Sequence, residues 1–248
     1  ADFLFFINCV KIRNTEKTHM KFHKLPKPLK ILLLTALVIA LFILFLKFAS
    51  ATDQGPNFPS TAVNDTGTGT ITWTNPGNVT VSDNVRATAT LIQLSEVTNY
   101  IKATNFGFSI PTGATINGIL VEWEVSVSKD DNAKDSAARI VKGGTIGSTD
   151  KSSATAWSTI DSFRSHGSSS DLWGETWTPA DINSSSFGAA ISAVEIVDDP
   201  DITVRVDSVR ITVTYTAATT SISGTVYTDE GTTTIGAGRT KYLFSALQ

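Results

Sequence analysis

Cysteine is almost missing from this chain of 248 residues, in which Cys9 is the only one. After that position the chain can form no internal disulfide, and it offers no thiol for catalysis or for a cysteine metal site. Small secreted domains often depend on disulfides, but about 165 residues can bury a sufficient core without them. The shortage therefore excludes a disulfide scaffold and predicts a core held together by packing.

Histidine is also scarce, and His166 is the only histidine beyond residue 23. A Ser–His–Asp triad would have to use it, but the sequence contains no G-x-S-x-G elbow. One histidine without cysteine leaves only carboxylates to complete a zinc site. Because His166 lies in the sequence HGSSS, we expect it in a surface loop.

Long apolar runs are confined to residues 31–46, which are sixteen residues without a charge. Four lysines lie among the ten residues before this run, and the small residues of FASA follow it. This order predicts a secretory signal peptide over residues 20–51, with cleavage after Ala51. An uncleaved membrane anchor is the alternative, although a spanning helix needs about 20 apolar residues.

The N-terminal part carries a charge opposite to that of the rest. Residues 1–51 hold eight Lys or Arg and two Asp or Glu, whereas residues 52–248 hold twelve and twenty-one. The exported part is thus acidic and has no basic footprint, so nucleic acid is not expected as a partner.

We expect translation to start at Met20 and residues 1–19 to be a non-native leader. The product is expected to be secreted or at the cell surface, with a membrane contact only through residues 31–46 if the signal is uncleaved.

The clearest pattern lies in residues 119–128, ILVEWEVSVS, where apolar and mostly polar residues alternate. A period of two predicts a long strand with one buried face. Five large side chains on that face need a second layer to pack against, which indicates a layered structure. We expect this inward row to pack against Phe106, Phe108, Val213 and Tyr215.

Short alternating segments, frequent turn residues and the lack of helical periodicity favour an all-β antiparallel sandwich. A jelly roll of about eight strands fits the number of segments, and an immunoglobulin- or fibronectin-like sandwich is the alternative. The predicted organisation is a leader (1–19), a signal or anchor helix (20–51), an extended segment (52–69), the sandwich (70–216), a linker (217–220) and the truncated start of a second β module (221–248).

Two local features are predicted within the sandwich. Residues 100–110 and 119–128 are separated by a few Pro and Gly residues, which suggests that they pair as a hairpin. The apolar residues of segment 202–216 change parity midway, and a single strand cannot change faces without an extra residue. This change predicts a β-bulge at Asp207 and Ser208.

Paired carboxylates could indicate a glycoside hydrolase. Glu122 and Glu124 share one face of the predicted strand, with Cβ atoms about 6.5–7 Å apart, so their carboxyl groups could approach the separation that glycosidases use. Laminarinase-like jelly-roll hydrolases use the spacing E-x-D-x-E, and its third acid is absent here. The alternative, which we favour, is a solvated strand face that resists edge pairing.

Five tryptophans follow the signal segment, and Trp173 and Trp177 flank a Gly–Glu pair near a loop. Sugar-binding sandwiches stack sugar rings on exposed aromatic side chains, so these two are the candidates for exposure and ligand binding. Trp123 lies on the apolar side of its strand and is expected in the core. Core or corner packing is the alternative for both candidates.

Two acidic loops are candidate Ca²⁺ sites, because this ion takes oxygen ligands. Neither loop matches the pattern D-x-[DN]-x-[DN]-G, so solvated hairpin tips are the alternative. The candidate ligands are Asp130, Asp131 and Asp135 in the first loop and Asp198, Asp199 and Asp201 in the second. No other cofactor is expected.

Three segments together resemble a jelly-roll β-sandwich module of secreted bacterial and phage surface or tail-associated proteins. They are NFGFSIPTGATINGILVEWEVS, WGETWTPADINSSSFGAAISA and VRVDSVRITVTYT. The resemblance covers residues 57–216 and implies a fold, with no catalytic residue to carry over. The segment SISGTVYTDEGTTTIGAG is similar to the start of an immunoglobulin-like or carboxypeptidase-regulatory-like repeat, which implies a fragment of a longer multi-module protein.

Three functions are open at this point. The first is a non-enzymatic, exported β-sandwich with a structural or adhesive role. The second is a carbohydrate-binding module that uses Trp173 and Trp177, with structural Ca²⁺. The third is a glycoside hydrolase that uses Glu122 and Glu124. The expected partners are glycans or other surface proteins.

Overall fold

A computed structural model describes residues 50–199 and 201–218 of the chain. The predictions for the leader, for nearly all of the signal or anchor segment and for the second β module lie outside these residues. In the described part, no helix is both long enough and apolar enough to span a bilayer.

Regular structure in the described residues consists mainly of strands. The strands are β1 (Ala51–Asn57), β2 (Thr61–Asp65), β3 (Ala87–Leu91), β4 (Tyr100–Thr104), β5 (Thr115–Val127), β6 (Ala133–Lys142), β7 (Thr145–Ile146), β8 (Ser162–Ser168), β9 (Gly188–Glu195) and β10 (Ile202–Thr216). A 3-10 helix covers Pro76–Val79, and a short helix, α1, covers Pro179–Asn183.

The strands form two sheets in which every ladder between named strands is antiparallel. Sheet A has the order β1-β10-β5-β8, and β3 also pairs with β10. Sheet B has the order β2-β4-β9-β6-β7. Apart from the neighbours β6 and β7, successive strands lie in opposite sheets, as in a jelly roll. The predicted antiparallel β-sandwich is confirmed.

The sandwich has more strands than the eight expected, and it starts before residue 70. Residues 52–69, predicted to be an extended segment, contribute β1 to sheet A and β2 to sheet B. β1 pairs along the C-terminal half of β10, where Ala51 is the partner of Thr216. The segment before residue 70 is therefore part of both sheets.

The predicted hairpin between residues 100–110 and 119–128 is wrong. The two segments lie in opposite sheets, since β4 belongs to sheet B and β5 to sheet A. The connection carries aromatic rings into the core: Phe106 and Phe108 are buried, and their ring centroids lie 6.3 and 5.8 Å from that of Phe187. The chain crosses from one sheet to the other because these rings pack in the core between them.

The core lies between the sheets and contains the inward row of β5, as predicted. This row consists of Ile119, Val121, Trp123, Val125 and Val127, each at most 1% exposed. Val213 is the Cα partner of Ile119, Phe106 and Phe108 belong to the same buried cluster, and Tyr215 packs against it half-buried. Each aliphatic or aromatic side chain buried in this way contributes about 1.5–3 kcal/mol to folding.

The bulge predicted in β10 is confirmed. The register between β10 and β5 shifts between Val206 and Ser208, so Asp207 is an extra residue without a partner in β5. The extra residue lets the apolar side chains on both sides of it face the same core. Those side chains are Ile202, Val204, Val206, Val209, Ile211 and Val213, all fully buried.

Trp173 is buried, contrary to the exposure predicted for it. It is 1% exposed, and its indole Nε1 donates a hydrogen bond to the carbonyl oxygen of Ile119 at 2.9 Å. The indole lies over Gly167 of β8, where an added Cβ would come within 2.7 Å of Nε1 and 2.4 Å of that carbonyl oxygen. Trp173 is buried because a glycine in the neighbouring strand leaves room for its ring.

Gly167→Ala should therefore destabilise the sandwich by more than backbone strain alone. Gly167 has φ +76°, and its Cβ would also meet the indole and the Ile119 carbonyl. We expect a loss of about 2–4 kcal/mol in the free energy of unfolding, measured by chemical denaturation. The matched control is Gly107→Ala, because Gly107 has φ +67° with no atom within 4 Å of its Cβ position. Equal losses in the two variants would contradict the packing of Trp173 on Gly167.

Candidate functional site

The two glutamates of the hydrolase hypothesis lie on the outer face of sheet A, and the carboxylate of each accepts hydrogen bonds from neighbouring side chains. The Glu122 carboxylate accepts two hydrogen bonds from the guanidinium of Arg210, at 2.8 and 3.2 Å. Glu124 accepts hydrogen bonds from the hydroxyl groups of Ser82 and Ser208, both at 2.8 Å. Because Ser82 belongs to the loop that follows the 3-10 helix, Glu124 lies under a loop rather than on the floor of an open cleft.

The bulge in β10 places Asp207 beside Glu124. Asp207 is 1% exposed, and its Oδ1 has no hydrogen-bond partner among the described residues. Burial raises the pKa of Asp207, and the negative charges of Glu124 and Asp161 raise it further, against the effect of a hydrogen bond from the backbone of Asn84. A protonated Asp207 can donate a hydrogen bond to Glu124, which relieves the repulsion between the two carboxylates.

An ion pair holds the other end of this loop. Arg86 Nε donates a hydrogen bond to Asp161 Oδ2 at 2.9 Å, and a second guanidinium nitrogen contacts the same oxygen. Burial acts to raise the pKa of Asp161, but hydrogen bonds from Arg86 and Ser126, together with the charges of Arg86 and Arg205, outweigh it, and the net pKa is lowered. The acidic part of the outer face of sheet A is therefore closed by internal contacts.

Trp177 is only half-buried, but its ring already contacts neighbouring residues. Its indole Nε1 donates a hydrogen bond to the carbonyl oxygen of Leu172 at 3.0 Å, and its ring meets Phe187 edge-on at 5.4 Å between centroids. The ammonium of Lys142 lies 5.1 Å from the ring centroid. Since Trp173 is buried, the pair of exposed tryptophans predicted from the sequence does not form.

The structure does not bring the predicted Ca²⁺ ligands together. Over residues 50–199 and 201–218, no group of three or more Asp, Glu, His or Cys side chains is arranged to hold a metal ion. In the second loop, Asp199 accepts hydrogen bonds from Lys129 at 2.5 Å and from Asn132 at 2.8 Å. In the first loop, Asp130 accepts one from the backbone of Thr159 at 2.9 Å. Bound Ca²⁺ stays a prediction from composition, without a geometric site in these residues.

His166 lies in β8 and is buried, so its predicted place in a surface loop is wrong. Its Nε2 is 2.8 Å from Oδ2 of Asp135, which lies in β6 of the opposite sheet. Asp135 also accepts hydrogen bonds from the indole of Trp157 at 2.7 Å and from the backbone of Ser153 at 2.8 Å. Asp135 is therefore a core residue, 3% exposed, rather than a loop ligand for Ca²⁺.

The bond between Asp135 and His166 joins the two sheets across the core. Burial acts to raise the pKa of Asp135, but hydrogen bonds from His166, Ser153 and Trp157 outweigh this, and the net pKa lies below the ordinary value. Three donors thus stabilise one buried carboxylate. With side chains at most 1% exposed, the pair has no access to a substrate, and its role is structural.

A groove of about 460 Å³ lies on the outer face of sheet B. Its volume falls within the range of about 300–1,000 Å³ that is typical of small-molecule sites. Asp65 of β2 and Tyr100 and Lys102 of β4 line one side, and Arg139 of β6 and Ile146 of β7 line the other. We call this feature the sheet B groove.

The central strand of sheet B does not line the groove. Ala190 of β9 is the Cα partner of both Lys102 and Arg139, which lie on either side of it. Ala190 is fully buried, in a small apolar cluster separate from the main core. The groove is therefore bounded by residues of β2, β4, β6 and β7 and by the glycines beside them.

The charged side chains of the sheet B groove are held in place by neighbours. Lys102 Nζ is 2.7 Å from Asp65 Oδ2, and this hydrogen bond lowers the pKa of Asp65. Arg139 donates hydrogen bonds to the carbonyl oxygens of Gly147 and Ser148 at 3.1 and 2.7 Å. A second guanidinium nitrogen of Arg139 lies 3.9 Å from Asp150.

Tyr100 completes this wall. It is 6% exposed, and burial raises the pKa of its hydroxyl group, so it is neutral at physiological pH. The Asp150 charge raises this pKa further, whereas Arg139 lowers it. The sheet B groove therefore presents hydrogen-bond donors and acceptors in fixed positions, and it offers little aromatic ring surface for stacking.

The sheet B groove was not predicted from the sequence. Its residues come from β2, β4, β6 and β7, which are far apart along the chain. The outward positions of the central strand β9 are Gly188, Ala190 and Ser192, all small, but they are buried and do not line the groove. No local pattern in the sequence therefore indicates it.

No protein-family model matches the chain, and neither does any curated sequence. Among solved structures, it is similar to one described as "CBM4 structure and function", at 12% identity and a TM-score of 0.34, over 60% of this chain and 92% of that chain. It is also similar to one from a study of carbohydrate-binding modules from the β-sandwich superfamily, at 13% identity and a TM-score of 0.30. That match covers 66% of this chain and 58% of the other.

Asp135→Asn should destabilise the protein by about 3–5 kcal/mol, because it removes the charge that three buried donors surround. Since the folded pKa of Asp135 is depressed, its contribution is complete above the ordinary carboxyl pKa and is lost as the pH falls toward the folded value. Urea denaturation at pH 7 measures the loss. Asp130→Asn is the control, since Asp130 accepts one hydrogen bond at an exposed position. A loss below about 1 kcal/mol for Asp135→Asn would contradict the role given to the buried pair.

Asp207→Asn should have the opposite effect. Because the folded pKa of Asp207 is raised, ionisation costs stability as the pH rises above the ordinary carboxyl pKa and through the folded value. The variant avoids this cost, so we expect a gain on the order of 1 kcal/mol at pH 7 that shrinks at pH 4. Glu122→Gln is the control and should lose stability, because Glu122 is paired with Arg210. A variant less stable than wild type by the same amount at both pH values would count against a shared proton.

Proposed function

We propose that this chain is an exported, non-enzymatic β-sandwich module that binds carbohydrate in the sheet B groove. The observation that carries the proposal is the groove itself, in which polar side chains stand beside the small residues Gly67, Gly144 and Gly147. A sugar presents hydroxyl groups that both donate and accept hydrogen bonds. Asp65 offers acceptors, Lys102 and Arg139 offer donors, and the three converge on one open space.

Preorganisation of these side chains supports the proposal. The side chains of Asp65, Lys102 and Arg139 are 24%, 23% and 27% exposed, and each is fixed by an ion pair or by backbone carbonyl groups. Little side-chain entropy is lost when such groups bind a ligand. Because Tyr100 contributes little free ring surface, we expect modest affinity, with Kd of roughly 10 µM to 1 mM.

The proposed binding residues differ from those predicted from the sequence. Stacking on Trp173 and Trp177 is replaced by hydrogen bonding to polar groups on the opposite sheet. The absence of an open cleft at Glu122 and Glu124 supports a binding role over hydrolysis. Binding of surface glycans would give the module an adhesive role, and the pattern of residues 20–51 supports export.

Filling the groove should abolish binding. The full chain is expected to bind at least one polysaccharide on a glycan array, and Thr145→Trp should weaken that binding at least tenfold, because Thr145 is exposed and lines the groove. Ile146→Trp adds a ring at the neighbouring lining position and serves as the second variant should Thr145→Trp fold poorly.

Arg139→Ala and Arg210→Ala form a matched pair for the same assay. Both arginines are half-buried on the outer face of a sheet, but only Arg139 lines the groove. We expect Arg139→Ala to weaken binding and Arg210→Ala to leave it unchanged. Binding to no glycan, or equal binding by wild type and both groove-filling variants, would contradict the proposed function and favour a purely structural role.

A further inference from the structure

The sheet B groove is electrically balanced. Its two cations each lie beside a carboxylate: Lys102 is 2.7 Å from Asp65, and Arg139 is 3.9 Å from Asp150. The remaining ionisable group, Tyr100, is neutral because burial raises the pKa of its hydroxyl group. Once Asp150 is counted, which neighbours Arg139 without lining the groove, these groups leave no net charge to attract an ionic ligand.

We infer that the sheet B groove selects uncharged glycans and rejects acidic ones such as uronic acid polymers. This inference rests on the proposed function and adds the class of ligand. A carboxylate on the sugar would approach Lys102 only by competing with Asp65, which already occupies its ammonium at close range. Discrimination of this kind comes from repulsion as well as attraction, since Asp65 repels the incoming anion.

Arg139, like Lys102, already has partners that an acidic group would have to displace. Its guanidinium already donates hydrogen bonds to Gly147 and Ser148, and it faces Asp150. An anion placed there would leave these carbonyl oxygens without their donor or would lie near a second carboxylate. A neutral hydroxyl group, in contrast, can accept from the cation and donate to the carboxylate of the same pair without breaking it.

Asp65 sets this selectivity, and its removal should reverse it. In Asp65→Asn the amide keeps the shape of the side chain, and its oxygen can still accept the hydrogen bond from the backbone of Gly67. Lys102 is then left without its counter-charge in a half-buried position. The variant should gain affinity for acidic glycans and lose some affinity for neutral ones, because Asp65 is one of the acceptors that line the groove.

The experiment titrates the full chain with two sets of oligosaccharides by isothermal calorimetry at low salt. Xylan and mixed-linkage glucan fragments are the neutral probes, and polygalacturonate and alginate fragments are the acidic probes. Wild type should bind a neutral probe and bind acidic probes at least tenfold more weakly. Asp65→Asn should gain roughly tenfold toward acidic probes, and added salt should remove the gain.

Two further variants separate the local effect from net charge and from misfolding. Asp53→Asn makes the same charge change on sheet A, where Asp53 accepts a hydrogen bond from Thr214, and it should bind as wild type does. Lys102→Gln leaves Asp65 without its cation and should weaken the binding of acidic probes further.

The outcomes distinguish the two claims. Wild-type preference for acidic probes, or no gain in Asp65→Asn, would overturn the inference on selectivity while leaving carbohydrate binding in place. Binding of neither set by wild type would overturn the proposed function and the inference together.

Discussion

The extra residue in β10 is the constraint on which the rest of sheet A depends. β10 is the strand to which β1, β3 and β5 all pair, and its fifteen residues span the whole sheet. Without Asp207, one half of the strand would turn its valines and isoleucines outward, and the ladders to β3 and β5 could not both cover the same core. The same residue brings a buried carboxyl group beside Glu124, so the feature that completes the core also closes the acidic face. The strand gains its packing at the cost of a buried carboxyl group whose pKa is raised by burial and by the neighbouring Glu124 charge.

The outer faces of sheet A and sheet B differ: the first is covered by its own side chains, and the second carries the groove. The outer face of sheet A is filled by Arg210 stacked on Phe163, with 3.8 Å from the guanidinium carbon to the ring centroid, and by the loop over Glu124. The outer face of sheet B carries the sheet B groove, which is lined by residues of β2, β4, β6 and β7 and by the glycines beside them. The buried bond between Asp135 and His166 ties the two sheets together. A rigid sandwich with one closed and one open face presents its polar groups in fixed positions, as a binding module requires.

The parts of this fold that are local in sequence could be predicted, and those that depend on register could not. The alternation of β5 and the parity change in β10 depend only on neighbouring residues, and both predictions are confirmed. β8 was missed because its inward positions, Arg164 and His166, are polar, whereas Phe163 faces outward. Those polar side chains form hydrogen bonds to Asp135 and to the carbonyl oxygens of residues 155 and 156, which no local pattern reveals. The burial of Trp173 and the sheet B groove likewise depend on strands that are distant along the chain.

The most direct test of the account is a map of where a sugar contacts the folded protein. The full chain, labelled with ¹⁵N, would be titrated with a neutral xylan or glucan oligosaccharide while backbone amide chemical shifts are recorded. The account predicts the largest changes along the sheet B groove, at Tyr100, Lys102, Arg139 and Ile146, with little change on sheet A. Changes centred on Glu122 and Arg210, or no change anywhere at millimolar sugar, would contradict it.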